Sequence, residues 1–533
     1  MSSAVQPSHN DFFHYTSGRW LWDEEKQLRD RYKPFNVSEL QRVAAASVGA
    51  HACLSMIKLG EGGFNKVFRL VMDDGSVVIA RIPNPNAGPP GKAVASEVAT
   101  MDFASTILEI PVPTVLAWSG DLENPVGSEY ILMEEASGSH LSEVWEELEI
   151  HAKAEVVEEL VGIEKKLLSL SFSRYGNLFF AKNAFEGCEK VDVSGNLPES
   201  RRLDASNRFV IGPVVDRDFW NEERSIMKID RGPWLSAAEY LKAISQREKT
   251  WLSCYAVPKQ GRKLLYVPIS QNSVNAHVSL YDKFLAIAEF VLPSEGGLVK
   301  PTLWHWDLHA PNLFIDSKNK LTALIDWQDA WVGPLFLQAR HPGLVRYSGE
   351  IKLQLPEYYR SLEDQEEKKQ IAMQVEKSIL LQIYESSTSE ENPDLKGVLQ
   401  IPHGPTRRQT VQYSSNTWDG DILPFRECLI RMERFWNEIV GPNAPGCPIH
   451  FTPEELQTHY DESEGWNEKA DFWDSLSGFV SKDGWVAHEN YEQASDMFSQ
   501  MRDEGLKSLQ GKERDEFEIS TRWAAKSGTT THL

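Results

Sequence analysis

Short apolar runs separated by glycine-rich and polar turns dominate the chain from residue 54 to residue 134. LSMIKLG (54–60) and KVFRLVM (66–72) flank a glycine cluster, and the turn DDG leads into SVVIARI (76–82). Short runs rich in β-branched residues and bounded by such turns are typical of antiparallel strands. The pattern therefore predicts three antiparallel strands at the start of this region.

A helix and two further strands are predicted next. The helix extends from about residue 92 to residue 108, and its apolar stripe consists of Val94, Val98 and Met101. Glu97 falls on the edge of the same stripe. PTVLAWS (113–119) and SEYILME (128–134) have the pattern of strands. The order β-β-β-α-β-β predicts a compact sheet packed with one helix.

The segments on either side of this sheet are predicted to be mainly helical. Residues 17–50 indicate two helices, the second with its N-cap at Ser38. Residues 136–440 are predominantly helical, and residues 450–533 are helical and acidic. Hydrophobic and polar periodicity alone thus predicts an α+β protein.

The charge of the chain limits the classes of partner. Among its 533 residues, 78 are acidic and 55 are basic, which leaves a net charge of −23. Such a field repels nucleic-acid backbones and anionic lipid surfaces, so neither is an expected partner. An anionic ligand would need local help from a metal ion or from oriented backbone amides.

Cysteine usage and apolar runs give expectations about compartment. The five cysteines are scattered and form no CxxC pair, which indicates reduced thiols and argues against a zinc site built on them. No apolar run has the length of a membrane span. No transit peptide is visible in the N-terminal stretch MSSAVQPSHNDFF, which leaves the cytoplasm open as a location.

HWDLHAPN (305–312) concentrates polar side chains in eight residues just before a predicted hairpin of NLFI (312–315) and LTALI (321–325). The two strands have similar lengths, so their pairing brings Asn312 close to Asp326. Amide and carboxylate oxygens together suit magnesium with bound phosphates. Asp307, beside that position, is placed to orient or deprotonate a hydroxyl group.

LGEGGFNKVFRL (59–70) provides a second candidate element, since glycines between two strands let backbone N–H groups approach phosphates. The motif is weak on its own. It gains weight from Arg81 in the third strand and Glu97 on the following helix. An ion pair between those side chains would direct Arg81 toward nucleotide phosphates.

These elements, in this order, resemble the protein-kinase-like fold and, within it, the aminoglycoside phosphotransferase and choline kinase superfamily. HWDLHAPN resembles that family's HxDxxxxN loop, IDW (325–327) its counterpart of the kinase DFG, GEGGFNKVF its phosphate-binding loop and LMEEASG its hinge. The resemblance extends from about residue 54 to residue 340.

The resemblance implies a role for each matching residue. Asp307 would be the catalytic base and His305 a structural member of the same loop, while Asn312 and Asp326 would bind Mg²⁺. ATP would be held by Gly60, Gly62, Gly63, Asn65, Arg81, Glu97, Glu134 and Ala136. Asn65 replaces the third kinase glycine, and Arg81 stands where most kinases have lysine.

The implied fold is bilobal, with a small β-rich N-lobe, a larger mainly helical C-lobe and helical extensions at both ends. The corresponding segments are the N-terminal extension (1–49), the N-lobe (50–135), the C-lobe (136–440) and the C-terminal extension (441–533). The implied activity is transfer of the ATP γ-phosphoryl group to a hydroxyl of an unidentified small molecule. The acidic surface fits a cationic acceptor.

A second resemblance concerns a narrower group. FFHYTSGRWLW, ARIPNP, SEVATM and RGPW resemble a fungal branch called altered inheritance of mitochondria protein nine-like. This resemblance implies a mitochondrial location, in contrast to the absence of a visible transit peptide. It also supports an alternative function: a weak or inactive pseudokinase that binds nucleotide and acts as a scaffold in mitochondrial maintenance, with protein partners bound through the terminal extensions.

Other interpretations of the same residues stay open at this stage. HWDLHAPN could be a polar turn, or His305, Asp307 and His309 could bind zinc or iron in a metallohydrolase. Asn65 could cap the glycine turn, and Glu97 could be a solvated helix residue. Arg407 and Arg408 could bind an anionic substrate, although a solvated loop is the expected setting for both. Trp327 and Trp331 are expected to be packing residues.

Overall fold

The computed structural model describes residues 10–258, 267–294, 296–441, 443 and 445–525. The strands are β1 (Arg19–Trp20), β2 (Cys53–Glu61), β3 (Asn65–Met72), β4 (Val77–Pro83), β5 (Val115–Ser119), β6 (Tyr130–Glu134), β7 (Ser139–His140), β8 (Leu170–Phe172), β9 (Asn177–Phe180), β10 (Glu189–Lys190), β11 (Val193–Gly195), β12 (Phe209–Gly212), β13 (Pro301–Trp304), β14 (Leu313–Ile315), β15 (Leu321–Leu324), β16 (Trp331–Pro334) and β17 (Trp485–Val486).

The α-helices are α1 (Asn10–Phe13), α2 (Glu24–Arg31), α3 (Val37–Val48), α4 (Lys92–Thr106), α5 (Leu141–Val144), α6 (Ile150–Leu168), α7 (Glu199–Arg208), α8 (Ala237–Tyr255), α9 (Val274–Val291), α10 (Leu335–Gln338), α11 (Gln365–Glu391), α12 (Pro393–Leu399), α13 (Gly404–Tyr413), α14 (Ile422–Arg434), α15 (Trp436–Val440), α16 (Pro453–Ser475), α17 (Tyr491–Ser508) and α18 (Gly511–Ser520).

The N-lobe is a five-stranded antiparallel sheet with the order β2-β3-β4-β6-β5. All five strands and helix α4 lie where the sequence predicted them. The stripe of α4 is buried, and Glu97 is buried with it, at 6% exposure, so this residue is not a solvated one. The predicted α+β fold, with a β-rich lobe followed by a larger and mainly helical lobe, is confirmed.

The prediction that Ser38 caps the second N-terminal helix is wrong. Helix α3 begins one residue before Ser38, and the backbone of Asn36 is still extended. The side-chain oxygen of Asn36 accepts a hydrogen bond from the N–H of Glu39 at 3.1 Å. Because an N-cap residue must lie outside the helix while its side chain reaches the first turn, Asn36 is the cap.

The C-lobe contains more strand than the sequence indicated. Strands β8 to β12, each of two to four residues, form two small antiparallel sheets between α6 and α8. Runs of that length carry no usable periodicity, which is why the segment was predicted to be helical. The predicted hairpin is present as β14 and β15, and β7 extends it into a three-stranded sheet.

Helix α4 connects the two lobes. Its residues Val94 and Val98 belong to the same buried cluster as Leu303, Trp304 and Trp327, which flank the HWDLHAPN segment. A second cluster lies between α8, α9 and α14. The continuous core beneath α4 fixes the position of the sheet relative to the 305–312 segment. The boundaries between the N-terminal extension, the N-lobe, the C-lobe and the C-terminal extension stay a prediction.

Segments from the N-terminal and C-terminal parts of the described chain pair with each other beside the N-lobe. Strand β1 pairs antiparallel with β17, and Arg19 lies over the ring of Tyr491 at 3.7 Å. Leu21 and Phe498 share one apolar cluster. The N-terminal helices pack on the sheet through Leu40, which contributes to the core of the N-lobe. In the described part of the chain, no helix is long and apolar enough to cross a membrane.

One buried carboxyl group makes the C-lobe sensitive to pH. Glu164 on α6 is fully buried and accepts a hydrogen bond from the hydroxyl of Tyr384 on α11. Burial raises the pKa of Glu164 from 4.5 to about 8. The folded state therefore holds a proton that the unfolded state releases above pH 4.5, and stability falls as the pH rises toward 8.

We expect Glu164→Gln to be more stable than the wild type, with a difference that grows between pH 4.5 and about 8. Glutamine keeps the acceptor for Tyr384 and cannot ionise. The measurement is the melting temperature of both proteins across this range, with the exposed residue of the same helix changed in Glu158→Gln as a control. A difference that does not vary with pH would contradict the expectation.

Candidate active site

His305 connects the 305–312 segment, here called the catalytic loop, to Ile325, the residue before Asp326. Its side chain is buried, its Nε2 lies 3.0 Å from the carbonyl oxygen of Ile325, and its ring packs edge-on against Trp327. Burial lowers the pKa of His305, so the ring is neutral at pH 7. Trp327 is itself fully buried and is a packing residue, as expected.

Asp307 and Asn312 lie side by side in the catalytic loop. The Nδ2 of Asn312 donates to the Oδ2 of Asp307 at 3.1 Å and to its carbonyl oxygen at 3.0 Å. Because both amide hydrogens point toward Asp307, the Oδ1 of Asn312 faces away from it and suits a cation. The Nε2 of His309 lies 3.2 Å from the same Asp307 oxygen.

Asp326 follows the second strand of the hairpin, as predicted. The N–H of Ile325 donates to the carbonyl oxygen of Asn312 at 3.0 Å, which brings the two candidate magnesium ligands together. Asp326 has a φ of 61°, a left-handed conformation that is uncommon for residues other than glycine, although aspartate adopts it more readily than most. Strained backbone of this kind is concentrated at functional sites. Nearly half of the side chain is exposed.

Arg81 is the buried charge around which these groups are arranged. Its Nη1 contacts the carboxylate of Glu97, and its Nη2 donates to the Oδ1 of Asp326 at 2.9 Å and to the Oε1 of Gln328 at 2.6 Å. Burial raises the pKa of Glu97, and the guanidinium of Arg81 opposes that change. The predicted ion pair is present, and Arg81 also holds the carboxylate proposed to bind the metal.

The glycine loop (60–65) has open space beside its backbone. A Cβ atom added to Gly60, Gly62 or Gly63 would meet no protein atom within 4 Å, and none of the three has a positive φ. Neither packing nor backbone conformation therefore requires glycine at these positions. The approach of a ligand to the backbone is a physical reason for glycine in such a loop.

Asn65 neither caps the glycine turn nor contacts it through its side chain. Its Nδ2 donates to the Oε1 of Gln328 at 2.6 Å, across the cleft between the lobes. Its backbone oxygen accepts the N–H of Gly62 at 3.0 Å and closes the turn. Gln328 therefore joins Asn65 to Arg81. Sequence analysis did not identify Gln328, and its position two residues after Asp326 was the only available signal.

The predicted hinge leads from the sheet to the catalytic hairpin. Glu134 is exposed at the end of β6, and its backbone N–H donates to the carbonyl oxygen of Thr114 at 3.0 Å. After Ala136, strand β7 pairs with β14, the first strand of the hairpin. The chain thus passes from the sheet to the catalytic hairpin within a few residues.

The N-terminal segment covers the outer side of the glycine loop, a contact that sequence analysis did not anticipate. The carboxylate of Glu61 accepts hydrogen bonds from the hydroxyls of Thr16 at 2.8 Å and Ser17 at 3.3 Å. Lys58 donates to the hydroxyl of Thr16 at 3.0 Å, and the Nε2 of His488 lies 3.1 Å from the carbonyl oxygen of Thr16. Residues from the N-terminal and the C-terminal extensions therefore support the glycine loop.

A cavity of about 240 Å³ opens beside the catalytic loop. Its walls include Asp216, Arg217, Tyr240, Trp306, Asp329 and Trp331. It continues into a second cavity of about 310 Å³ that also contacts Asp218. We call the two together the acceptor trough. Trp331 thus lines a cavity and is not solely a packing residue.

The metallohydrolase interpretation requires several ligands at one point. In residues 10–258, 267–294, 296–441, 443 and 445–525, no group of three His, Cys, Asp or Glu side chains is placed to hold a metal ion. His305 is engaged with Ile325, and His309 contacts Asp307. A magnesium site with Asn312 and Asp326 needs fewer protein ligands, because phosphate oxygens and water complete the coordination.

Comparison with known proteins assigns the chain to a family. The model of the phosphotransferase enzyme family matches residues 235–337, which contain the catalytic loop and Asp326. A subtelomeric hrmA-associated cluster protein of Aspergillus fumigatus is 31% identical over 506 residues, which cover 87% of this chain and 95% of that protein. The chain belongs to the phosphotransferase enzyme family. Its expected resemblance to that family is confirmed.

More distant relatives agree with the second resemblance. Altered inheritance of mitochondria protein 9 of Yarrowia lipolytica, named as mitochondrial, is 27% identical, and the match covers 92% of this chain and 87% of that protein.

Among solved structures, the ternary complex of APH(2″)-IIa with streptomycin and ATP is 13% identical to this chain. The match covers 75% of this chain and 97% of that one, with a TM-score of 0.35. The roles of the individual site residues stay predictions.

We expect Glu97→Ala to lower the free energy of unfolding of this family member by about 3 kcal/mol, because it removes one partner of a buried ion pair and leaves Arg81 undercompensated. The measurement is urea denaturation. Glu39→Ala removes a solvent-exposed pair with Arg42 and is the matched control, with an expected loss below about 1 kcal/mol. Equal losses in the two variants would contradict the assigned importance of the Arg81 pair.

Proposed function

We propose that this protein transfers the γ-phosphoryl group of ATP to a hydroxyl of a small molecule. The observation that carries the proposal is the convergence of Asp307, Asn312 and Asp326 in a chain of the phosphotransferase enzyme family, with the open glycine loop joined to the same region by the hydrogen bond from Asn65 to Gln328. Each of the three was identified from sequence spacing, and the fold brings them to one cleft.

In this proposal Asp307 orients the acceptor hydroxyl and takes its proton. The hydroxyl oxygen forms a bond to the γ-phosphorus while the bond from that phosphorus to the bridging oxygen breaks, and ADP leaves with the electron pair. Arg81 and the backbone of the glycine loop balance charge on the phosphates. Asn312 and Asp326 would hold Mg²⁺, which neutralises phosphate charge when bound.

The acceptor trough favours an amine-bearing acceptor. Asp216 and Asp218 both line it, and the buried guanidinium of Arg247 interacts electrostatically with both carboxylates. The rings of Tyr240, Trp306 and Trp331 contribute faces suited to cations. This arrangement, with the acidic surface of the chain, supports an amino alcohol as the acceptor.

A second candidate function is a nucleotide-binding pseudokinase, and one contact favours it. The Oδ1 of Asp326 is bound to Arg81, an arginine where most kinases have lysine, so a proposed metal ligand is partly occupied by a protein cation. In that case the terminal extensions would bind partner proteins. The name of the Yarrowia relative supports a mitochondrial location for either function.

We expect Asp307→Asn to bind ATP as the wild type does and to lose phosphoryl transfer by at least about a hundredfold, because asparagine cannot accept the proton. The assay follows ADP release and phosphorylated product with a panel of amino alcohols. The exposed residue Asp192, changed to asparagine, is the control. Transfer that survives in Asp307→Asn would show that Asp307 does not have this role.

The nucleotide site is tested separately by titrating ATP calorimetrically with and without magnesium, using the wild type and Asp326→Asn. We expect binding that depends on magnesium in the wild type and is lost in the variant, because the carboxylate contributes most of the ligand charge. Magnesium-dependent binding without turnover of any acceptor would favour the pseudokinase. The absence of any ATP binding by the wild type would contradict both functions.

A further inference from the structure

Three arginines line a third cavity, which adjoins the acceptor trough. Arg340 and Arg346 follow helix α10, and Arg408 lies on helix α13. Together with Gln409 and Gln412 they line a cavity of about 280 Å³. We call these three side chains the arginine cluster. The expectation that Arg408 belongs to a solvated loop is wrong, because α13 is a helix and Arg408 faces a cavity.

The neighbouring Arg407, on the same helix, differs from Arg408 because its guanidinium is fully engaged in the fold. Its side chain is buried, and its Nε donates to the carbonyl oxygen of Val291 at 2.8 Å, with a longer contact to Phe290. These are carbonyls at the end of α9, where a cation is favourable. Arg407 therefore has a structural function, in contrast to Arg408 one residue later.

In the described part of the chain, no carboxylate pairs with any member of the arginine cluster. Arg340 has only long contacts, at 3.3 Å, with carbonyl oxygens at the end of α10, and Arg408 has one at 3.5 Å with Val398. Burial, and then the charge of Arg340, lowers the pKa of Arg408 to about 10. The carboxylate of Glu385 is engaged by His341 at 3.3 Å.

Three adjacent cations without an anion are unexpected in a chain with 78 acidic side chains and a net charge of −23. Arginines packed near one another repel, and a carboxylate beside them would remove that cost. Here the cluster instead faces a concave surface open to solvent. Guanidinium groups in such a setting match the planar, two-oxygen edge of phosphate or carboxylate.

The arginine cluster is continuous with the proposed acceptor site. Arg340 and Arg408 line the 310 Å³ cavity together with Asp218 and Trp306, the residue before Asp307. The segment that carries Arg340 and Arg346 also packs on the catalytic loop, where the N–H of Gly343 donates to the carbonyl oxygen of Leu308 at 2.9 Å. One ligand could therefore extend from the catalytic loop to the cluster.

We propose that the arginine cluster binds a phosphate or carboxylate group of the acceptor, so that the alcohol phosphorylated by this protein carries an anion at the end away from its reactive hydroxyl. With an amine near Asp216 and Asp218, the acceptor is a zwitterionic alcohol. The identity of the ligand as the acceptor rests on the proposed function, whereas the anion site itself does not.

The anion site is tested with inorganic phosphate, titrated at constant ionic strength while the melting temperature is recorded. We expect binding about tenfold weaker in Arg346→Ala and in Arg408→Ala, because each removes a charge-assisted hydrogen bond. Arg202→Ala changes an exposed arginine on α7 and should bind phosphate as the wild type does. Unchanged binding in both cluster variants, or equal weakening in all three, would overturn the proposal.

Arg346 is exposed, so its replacement tests the site even if loss of Arg408, which lies over Phe336 at 5.2 Å, disturbs folding. Arg408→Lys, which retains the charge, should weaken phosphate binding less than Arg408→Ala. The reverse order would count against a charge-based site.

Turnover separates this inference from the proposed function. Amino alcohols are assayed in three forms, with a phosphate, with a carboxylate and with neither, and the preferred form identifies the anion. We expect Arg346→Ala to raise KM about tenfold for the preferred anionic form and to leave kcat unchanged. Equal turnover of the form with neither group would overturn the inference while the function stands. Phosphate bound by the cluster without phosphorylation of any alcohol would overturn the function alone.

Discussion

Arg81 places a permanent positive charge inside the protein, and the cleft is organised by the need to compensate it. A buried guanidinium without partners is severely destabilising, so the groups that satisfy it are held in fixed positions. Glu97 comes from helix α4, while Asp326 and Gln328 come from the segment that follows the catalytic hairpin. One side chain therefore ties the sheet, the helix and the C-lobe together, and Asn65 joins the glycine loop to the same set through Gln328.

The parts of this arrangement that were predictable are those that depend on local spacing. The strands and the hairpin follow from alternating apolar runs, and the hairpin itself places Asn312 near Asp326. The contact between Asn65 and Gln328 joins residues 263 positions apart, and no local pattern encodes it. The same holds for the acceptor trough, whose walls come from very short strands and the loops between them. The arginine cluster depends on how a loop and a distant helix pack, which charge patterning along the sequence cannot show.

Side-chain contacts link the glycine loop to the acceptor trough. Phe64, at the tip of the glycine loop, lies 3.7 Å from the guanidinium of Arg217, which pairs with Asp329 at 3.0 Å in the wall of the trough. Asp329, like Asp326, has a φ of 61°, so two residues with left-handed backbone frame a short segment between the glycine loop and the trough. A ligand that moves this segment from the glycine loop would also shift the wall of the trough, and the reverse, through the contact between Arg217 and Phe64.

The pairing of β1 with β17 has a consequence for the order in which the molecule is completed. During synthesis the N-lobe sheet emerges early, but the segment that supports the glycine loop from outside finds its partner strand only after residues 485 and 486 have been made. Contacts so distant along the chain form slowly, because a very long loop must close before they contribute. The sheet and its glycine loop are thus translated first and completed last.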